Sequence, residues 1–100
     1  AGSSPAYLFL FAQAMQDEAI KMGLDKDDAR LLVQQALLGS AEMICHNPDL
    51  ELSELRSQVT SKGGTTHEAI STFQENKLES IVSKAMQAAV ARAVKMSSDL

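Results

Sequence analysis

The chain has 100 residues, a net charge of −4 and hydrophobic side chains at 45% of its positions, with no Trp and only four aromatic residues. One domain at most fits this length, and its core must come from Leu, Ile, Val, Ala and Met, a mixture suited to helix packing rather than a sheet sandwich. The acid excess excludes a surface that draws nucleic acid or an anionic membrane as a whole, the lone Cys45 excludes an internal disulfide, and no apolar run reaches the roughly 18–20 residues of a bilayer span.

Ala1-Gly2-Ser3-Ser4-Pro5 opens with turn residues, and Ser4-Pro5 predicts an N-cap followed by the first helical position. A helix should run to about Met22, with Gly23 just past its end as the left-handed C′ residue. Between Ala6 and Met15 only Gln13 is strongly polar, so this helix is apolar on every side. A helix of that kind is buried all round. In a chain this short, such burial calls for cover from a second chain or domain; the alternative is the central helix of a monomer.

Asp25 should cap a second helix, with Asp27 and Asp28 in its first turn complementing the helix dipole. Its apolar positions run through Leu31-Leu32-Val33 and Ala36-Leu37-Leu38 to Met43-Ile44-Cys45, and Gly39-Ser40-Ala41 would admit a close neighbouring helix. His46 and Asn47 end it. Asn47-Pro48 then reads as N-cap and first position of a short third helix, Pro48 to Gln58, with Leu52, Leu55 and Val59 as its apolar stripe.

The next stretch, Val59-Thr60-Ser61-Lys62-Gly63-Gly64-Thr65-Thr66, holds the chain's only adjacent glycines and its densest hydroxyls. Thr65 and Glu68 fit a capping box, with Thr65 as N-cap. A glycine turn leading into a helix start presents free N–H groups and the positive dipole end, which suits a carboxylate or a phosphate. A well-capped turn with no ligand is the other reading of these eight residues. The fourth helix should span about Thr66 to Glu75, with Asn76-Lys77 a break in which Asn76 takes the left-handed conformation. The last helix, Leu78 to about Met96, carries Ile81, Val82, Ala85, Met86, Ala89, Val90 and Ala93 at helical spacing, and Ser97 to Leu100 should fray. The fold class is all-α, with five helices and no segment of strand periodicity.

Other constellations are weaker. Cys45-His46, adjacent at a helix end, cannot close a metal site even with His67 added, so no metal is expected. Cys45 follows an apolar run and reads as a buried small hydrophobe. Met15, Met22, Met43, Met86 and Met96 read as core packing. His67 stands beside the proposed anion site, and its bland reading is an exposed residue at a helix start. Asp17-Glu18 and Asp25 to Asp28 read as solvated faces and caps. No Gly-x-Gly-x-x-Gly follows a strand, so these residues hold no dinucleotide fold.

Two motifs place the chain beside a known family. Gly2-Ser3-Ser4-Pro5-Ala6-Tyr7, and Leu55-Arg56-x-x-Val59-Thr60-Ser61-x-Gly63-Gly64-Thr65-Thr66, resemble the C-terminal domain of pyrroline-5-carboxylate reductase. Lys21-Met22-Gly23-Leu24 and Gln35-Ala36-Leu37-Leu38-Gly39 also fit, so the resemblance spans residues 1–100 as one helical dimerisation and substrate-binding domain. The chain departs from the family at Lys62, where Pro is usual, at Ser57, where an acid is usual, and near Asn76-Lys77, where a glycine pair is usual.

The resemblance implies an oxidoreductase of proline biosynthesis that reduces a cyclic imine with NAD(P)H. It implies a fold like the C-terminal domain of 6-phosphogluconate dehydrogenase, interleaved as a homodimer or a higher oligomer, with the cofactor bound by an N-terminal Rossmann domain that these residues do not include. The backbone N–H groups of Gly64, Thr65 and Thr66 and the Thr66 hydroxyl would hold the substrate carboxylate, with Gly63 in the same substrate-binding turn, and Val59 would line the ring pocket. No side chain is an obvious proton donor; the Thr66 or Thr60 hydroxyl, or water, could serve. The domain alone should be inactive, and the expected compartment is the cytoplasm. A non-enzymatic helical interaction module is the alternative function.

Overall fold

Five helices account for most of the residues that the computed structural model describes, Ser4 to Ser98: α1 (Ser4–Lys21), α2 (Lys26–His46), α3 (Leu52–Gln58), α4 (Thr65–Glu75) and α5 (Leu78–Ser98). No strand occurs among them. The expected opening turn at Ala1 to Ser3 and the last two residues lie outside the described range. α1 is already helical at Ser4, one position earlier than a Ser4 cap allows, and Ser97 and Ser98 continue α5 rather than fray, the Ser98 hydroxyl donating to the Lys95 carbonyl at 3.0 Å.

The chain divides into two units, Ala1–Leu55 and Arg56–Leu100. In the first, α1 packs on α2. The turn between them is a Schellman closure. Leu24 N–H donates to the Ala19 carbonyl at 3.1 Å and Gly23 N–H to the Ile20 carbonyl at 3.0 Å, with Gly23 at φ +112°. Only glycine takes that conformation without strain, so the sequence signal at residue 23 and the geometry agree. Asp25 then caps α2, its carboxylate accepting from Asp27 N–H at 3.1 Å.

α2 ends where expected, but Asn47 serves it rather than the next helix. Its side-chain amide donates to the Met43 carbonyl at 2.8 Å and its backbone N–H to the Ile44 carbonyl at 3.4 Å. The third helix therefore begins at Leu52, not Pro48. Pro48 to Leu50 form a turn closed by Leu50 N–H to the Asn47 carbonyl at 3.1 Å, and the Glu51 carbonyl accepts the first helical bond, from Leu55.

In the second unit α4 packs on α5 through the break at Asn76-Lys77. Here the left-handed residue is Lys77, at φ +61°, and not Asn76. Asn76 stays at φ −91° because its side chain is occupied as a cap, donating to the Thr72 carbonyl at 2.9 Å.

Very little of this apolar chain is buried within it: Ala29, Val33 and Leu55 are the buried hydrophobic residues among those described. Phe9 and Leu10 on α1 are each 69% exposed, and Ile81, Val82, Met86, Val90 and Val94 form an exposed series along α5. Isolated exposed hydrophobes are ordinary, but whole helices of them mark surfaces meant to be covered. Two readings need correction for the same reason. Cys45 is exposed, and of the methionines only Met43 is even half-buried. α2 has one packed stripe, through Ala29 and Val33, and Cys45 lies about 120° round the helix from Val33. At Gly39, nothing beyond the helix's own backbone lies within 4 Å of where a Cβ would stand, so the small-residue site has no neighbour among the described residues.

Candidate substrate-carboxylate turn

The end of α3 sets up the turn. Its last carbonyls are taken locally: Val59 N–H donates to the Arg56 carbonyl and Thr60 N–H to that of Ser57, each at 3.2 Å. The Thr60 hydroxyl donates to the Arg56 carbonyl at 2.6 Å. That bond uses the hydroxyl proton, so Thr60 is a terminator of α3 and not a free proton donor.

Ser61 to Gly64 then form a tight turn closed by Gly64 N–H to the Ser61 carbonyl at 3.0 Å, with Gly63 at φ +75° in its third position. This is the signature of a type II turn, which needs glycine at the third position and favours proline at the second. The second position is Lys62. Gly64 has ordinary extended angles, φ −85° and ψ −179°, so its conformation does not demand glycine. Space favours it: a Cβ there would stand 2.5 Å from Ser61 Oγ, which that side chain must turn away to relieve, and 3.3 Å from the Ser61 carbonyl oxygen, which must give by a few tenths of an ångström. The two glycines thus fit for different reasons.

α4 starts one residue sooner than the capping-box pattern implies. Gly64 is the N-cap, its carbonyl accepting from Glu68 N–H at 3.1 Å, and no side chain caps the helix. Thr65 is the first helical residue and the Thr65–Glu68 box does not form. Because the type II turn spends the Gly64 N–H on Ser61, its carbonyl becomes the first helical acceptor. The N–H groups of Thr65, Thr66 and His67 belong to the first turn, where no intrahelical acceptor exists. Thr65 and Thr66 are exposed and Gly64 is half-buried.

Of the expected site residues, Gly63, Gly64, Thr65 and Thr66 share one continuous element, but the Gly64 N–H, expected as a carboxylate donor, is spent on the Ser61 carbonyl, which leaves those of Thr65 and Thr66. Val59 lies before the turn and is 57% exposed. A separate groove of about 280 Å³ lies beside the turn, lined by Arg56, Ser57, Thr60, Lys62, His67, Ile70, Ser71 and Gln74, and by none of Val59 or residues 63–66. Its α4 wall was legible as the i, i+3, i+4, i+7 spacing of His67, Ile70, Ser71 and Gln74. Among the described residues no three His, Cys, Asp or Glu side chains gather as metal ligands, and no helix is long and apolar enough to cross a membrane.

The turn, the helix order and the exposed apolar rods meet in one comparison: a family model described as "Pyrroline-5-carboxylate reductase dimerisation" matches residues 1–96. The chain belongs to this family. A pyrroline-5-carboxylate reductase of Vibrio alginolyticus is 67% identical over 96 residues, which is 96% of this chain and 35% of that protein. Among solved structures, a pyrroline-5-carboxylate reductase from Coxiella burnetii superimposes with a TM-score of 0.88 at 42% identity, over 93% of this chain and 34% of the other. The Plasmodium falciparum pyrroline carboxylate reductase, solved with NADP bound, gives 0.83 at 31% identity, over 89% of this chain and 34% of the other. The chain thus spans about a third of the length of the relatives it matches.

Proposed function

We propose that this chain is the part of a pyrroline-5-carboxylate reductase that pairs two subunits and holds the carboxylate of 1-pyrroline-5-carboxylate, while a domain outside these residues binds NAD(P)H. The observation that carries the site is the uncapped start of α4: Gly64 offers no side chain, and no side-chain cap bond is made there among the described residues. A substrate carboxylate supplies the missing acceptor and meets the positive end of the dipole.

The positioning follows from that grip. A nicotinamide, when bound, supplies the hydride that adds to the imine carbon, and the ring nitrogen gains a proton. The backbone N–H groups of Thr65 and Thr66 fix the acid end of the substrate, so that the imine carbon lies within roughly 3–3.5 Å of the donor with one face presented. Val59 shields the ring from water. The Thr66 hydroxyl donates its proton to the carboxylate and that of Thr60 is committed to Arg56, so water supplies the proton to the ring nitrogen. The single cysteine, free and exposed, is compatible with the reducing cytoplasm as the compartment.

In the full-length protein, Thr66→Val is expected to raise the substrate KM with kcat less affected, by the equivalent of about 1–3 kcal/mol for an unpaired carboxylate. An unchanged KM would favour a helical interaction module that keeps the fold without the site. The pairing is tested separately by analytical ultracentrifugation: the exposed faces of α1 and α5 predict a dimer at micromolar concentration, and a stable monomer there removes this part of the proposal.

A further inference from the structure

The groove beside the turn is unlike the rest of the surface. In a chain with 13 Asp and Glu against nine Lys and Arg, its wall includes Arg56, Lys62 and His67 and no carboxylate. The three come from separate places: the last turn of α3, the second position of the type II turn, and the first turn of α4. Neither the Arg56 guanidinium nor the Lys62 ammonium has an ion-pair partner among the described residues. A net charge of −4 gives no general attraction for anions, so any affinity must be local to such a cluster.

We propose that this groove binds a phosphate group, either free or carried by a small phosphorylated ligand. Arginine forms two parallel bonds to phosphate oxygens, and lysine adds a mobile point charge. Ser71 and Gln74 bring further donors to the same wall. A tetrahedral group with several acceptor oxygens uses such dispersed donors better than a planar carboxylate does. The groove shares Lys62 with the turn but none of residues 63–66, on which the carboxylate proposal rests.

The test is a titration of the isotope-labelled protein with inorganic phosphate, followed by 15N–1H spectra at ionic strength held constant with sodium chloride. Saturable shifts are expected at the amides of Lys62, His67 and Ser71. Arg56→Gln and Lys62→Gln should each weaken binding about tenfold, the loss expected for a charged hydrogen bond. Adenosine 2′-phosphate and adenosine, titrated in parallel, distinguish the source. Tighter saturation by the former than by inorganic phosphate points to a nucleotide ligand, and equal saturation points to free phosphate. Shifts that never saturate, that chloride alone reproduces, that are confined to residues 64–66, or that persist unchanged in both variants would overturn the proposal. The substrate KM of the Arg56→Gln full-length enzyme should stay near the wild-type value, so this site can fail without the carboxylate turn failing, and the reverse.

Discussion

The starts of α2 and α4 solve the same electrostatic problem in opposite ways. At α2 the chain supplies its own anions: Asp25 caps Asp27 N–H, and Asp27 and Asp28 sit in the first turn. At α4 a glycine occupies the cap position, no side chain bonds to the first turn, and Glu68 is its only acid. Both helices carry the same unsatisfied donors and the same positive end. The difference teaches that a missing cap is informative only beside a filled one. A chain that seals α2 with three aspartates leaves the start of α4 without a side-chain cap, the place where the proposal puts an external acid.

The largest expected effect comes from closing the open end. Ser61→Ala combined with Gly64→Asp removes the hydroxyl that a Cβ at 64 would meet and gives α4 its own carboxylate. In the full-length enzyme the substrate KM should rise at least about tenfold over Ser61→Ala alone, while thermal stability stays level or gains about 0.5 kcal/mol. A KM equal to that of the single variant would break the comparison. Opening the closed end should cost less: Asp25→Ala is expected to destabilise by about 1 kcal/mol, measured by urea denaturation, with no change in KM. The smallest effect sharpens the turn itself. Lys62→Pro at the second position of a type II turn should stabilise by about 0.4–1 kcal/mol by restricting the unfolded chain, read as a higher Tm.

Much of the fold could be read from the residues because its signals are local. Gly23 after an apolar helix, and Asp25 before Asp27 and Asp28, fix the α1–α2 turn through backbone geometry and short hydrogen bonds. The errors were also local, where two residues could fill one role. Thr65 and Gly64 competed for the cap of α4, and the turn hydrogen bond at Ser61 decided for Gly64. Asn76 and Lys77 competed for the left-handed position, and the bond from the Asn76 side chain to Thr72 decided for Lys77. Asn47 was open to two helices and capped the earlier one. The groove of Arg56, Lys62 and His67 is not legible in the sequence. It needs Arg56, Lys62 and α4 to converge, and spacing within one helix shows only one wall of it.

By itself the sequence determined five helices, the glycine turn and the family, because caps, left-handed glycines and helical periodicity act over a few residues at a time. Which apolar positions are covered was decided only by the tertiary structure. Ala29 and Val33 are buried while Phe9, Leu10 and Val90, no less covered in prospect, stand open to solvent. Periodicity says that a helix has an apolar side, and burial depends on which surface comes to meet it.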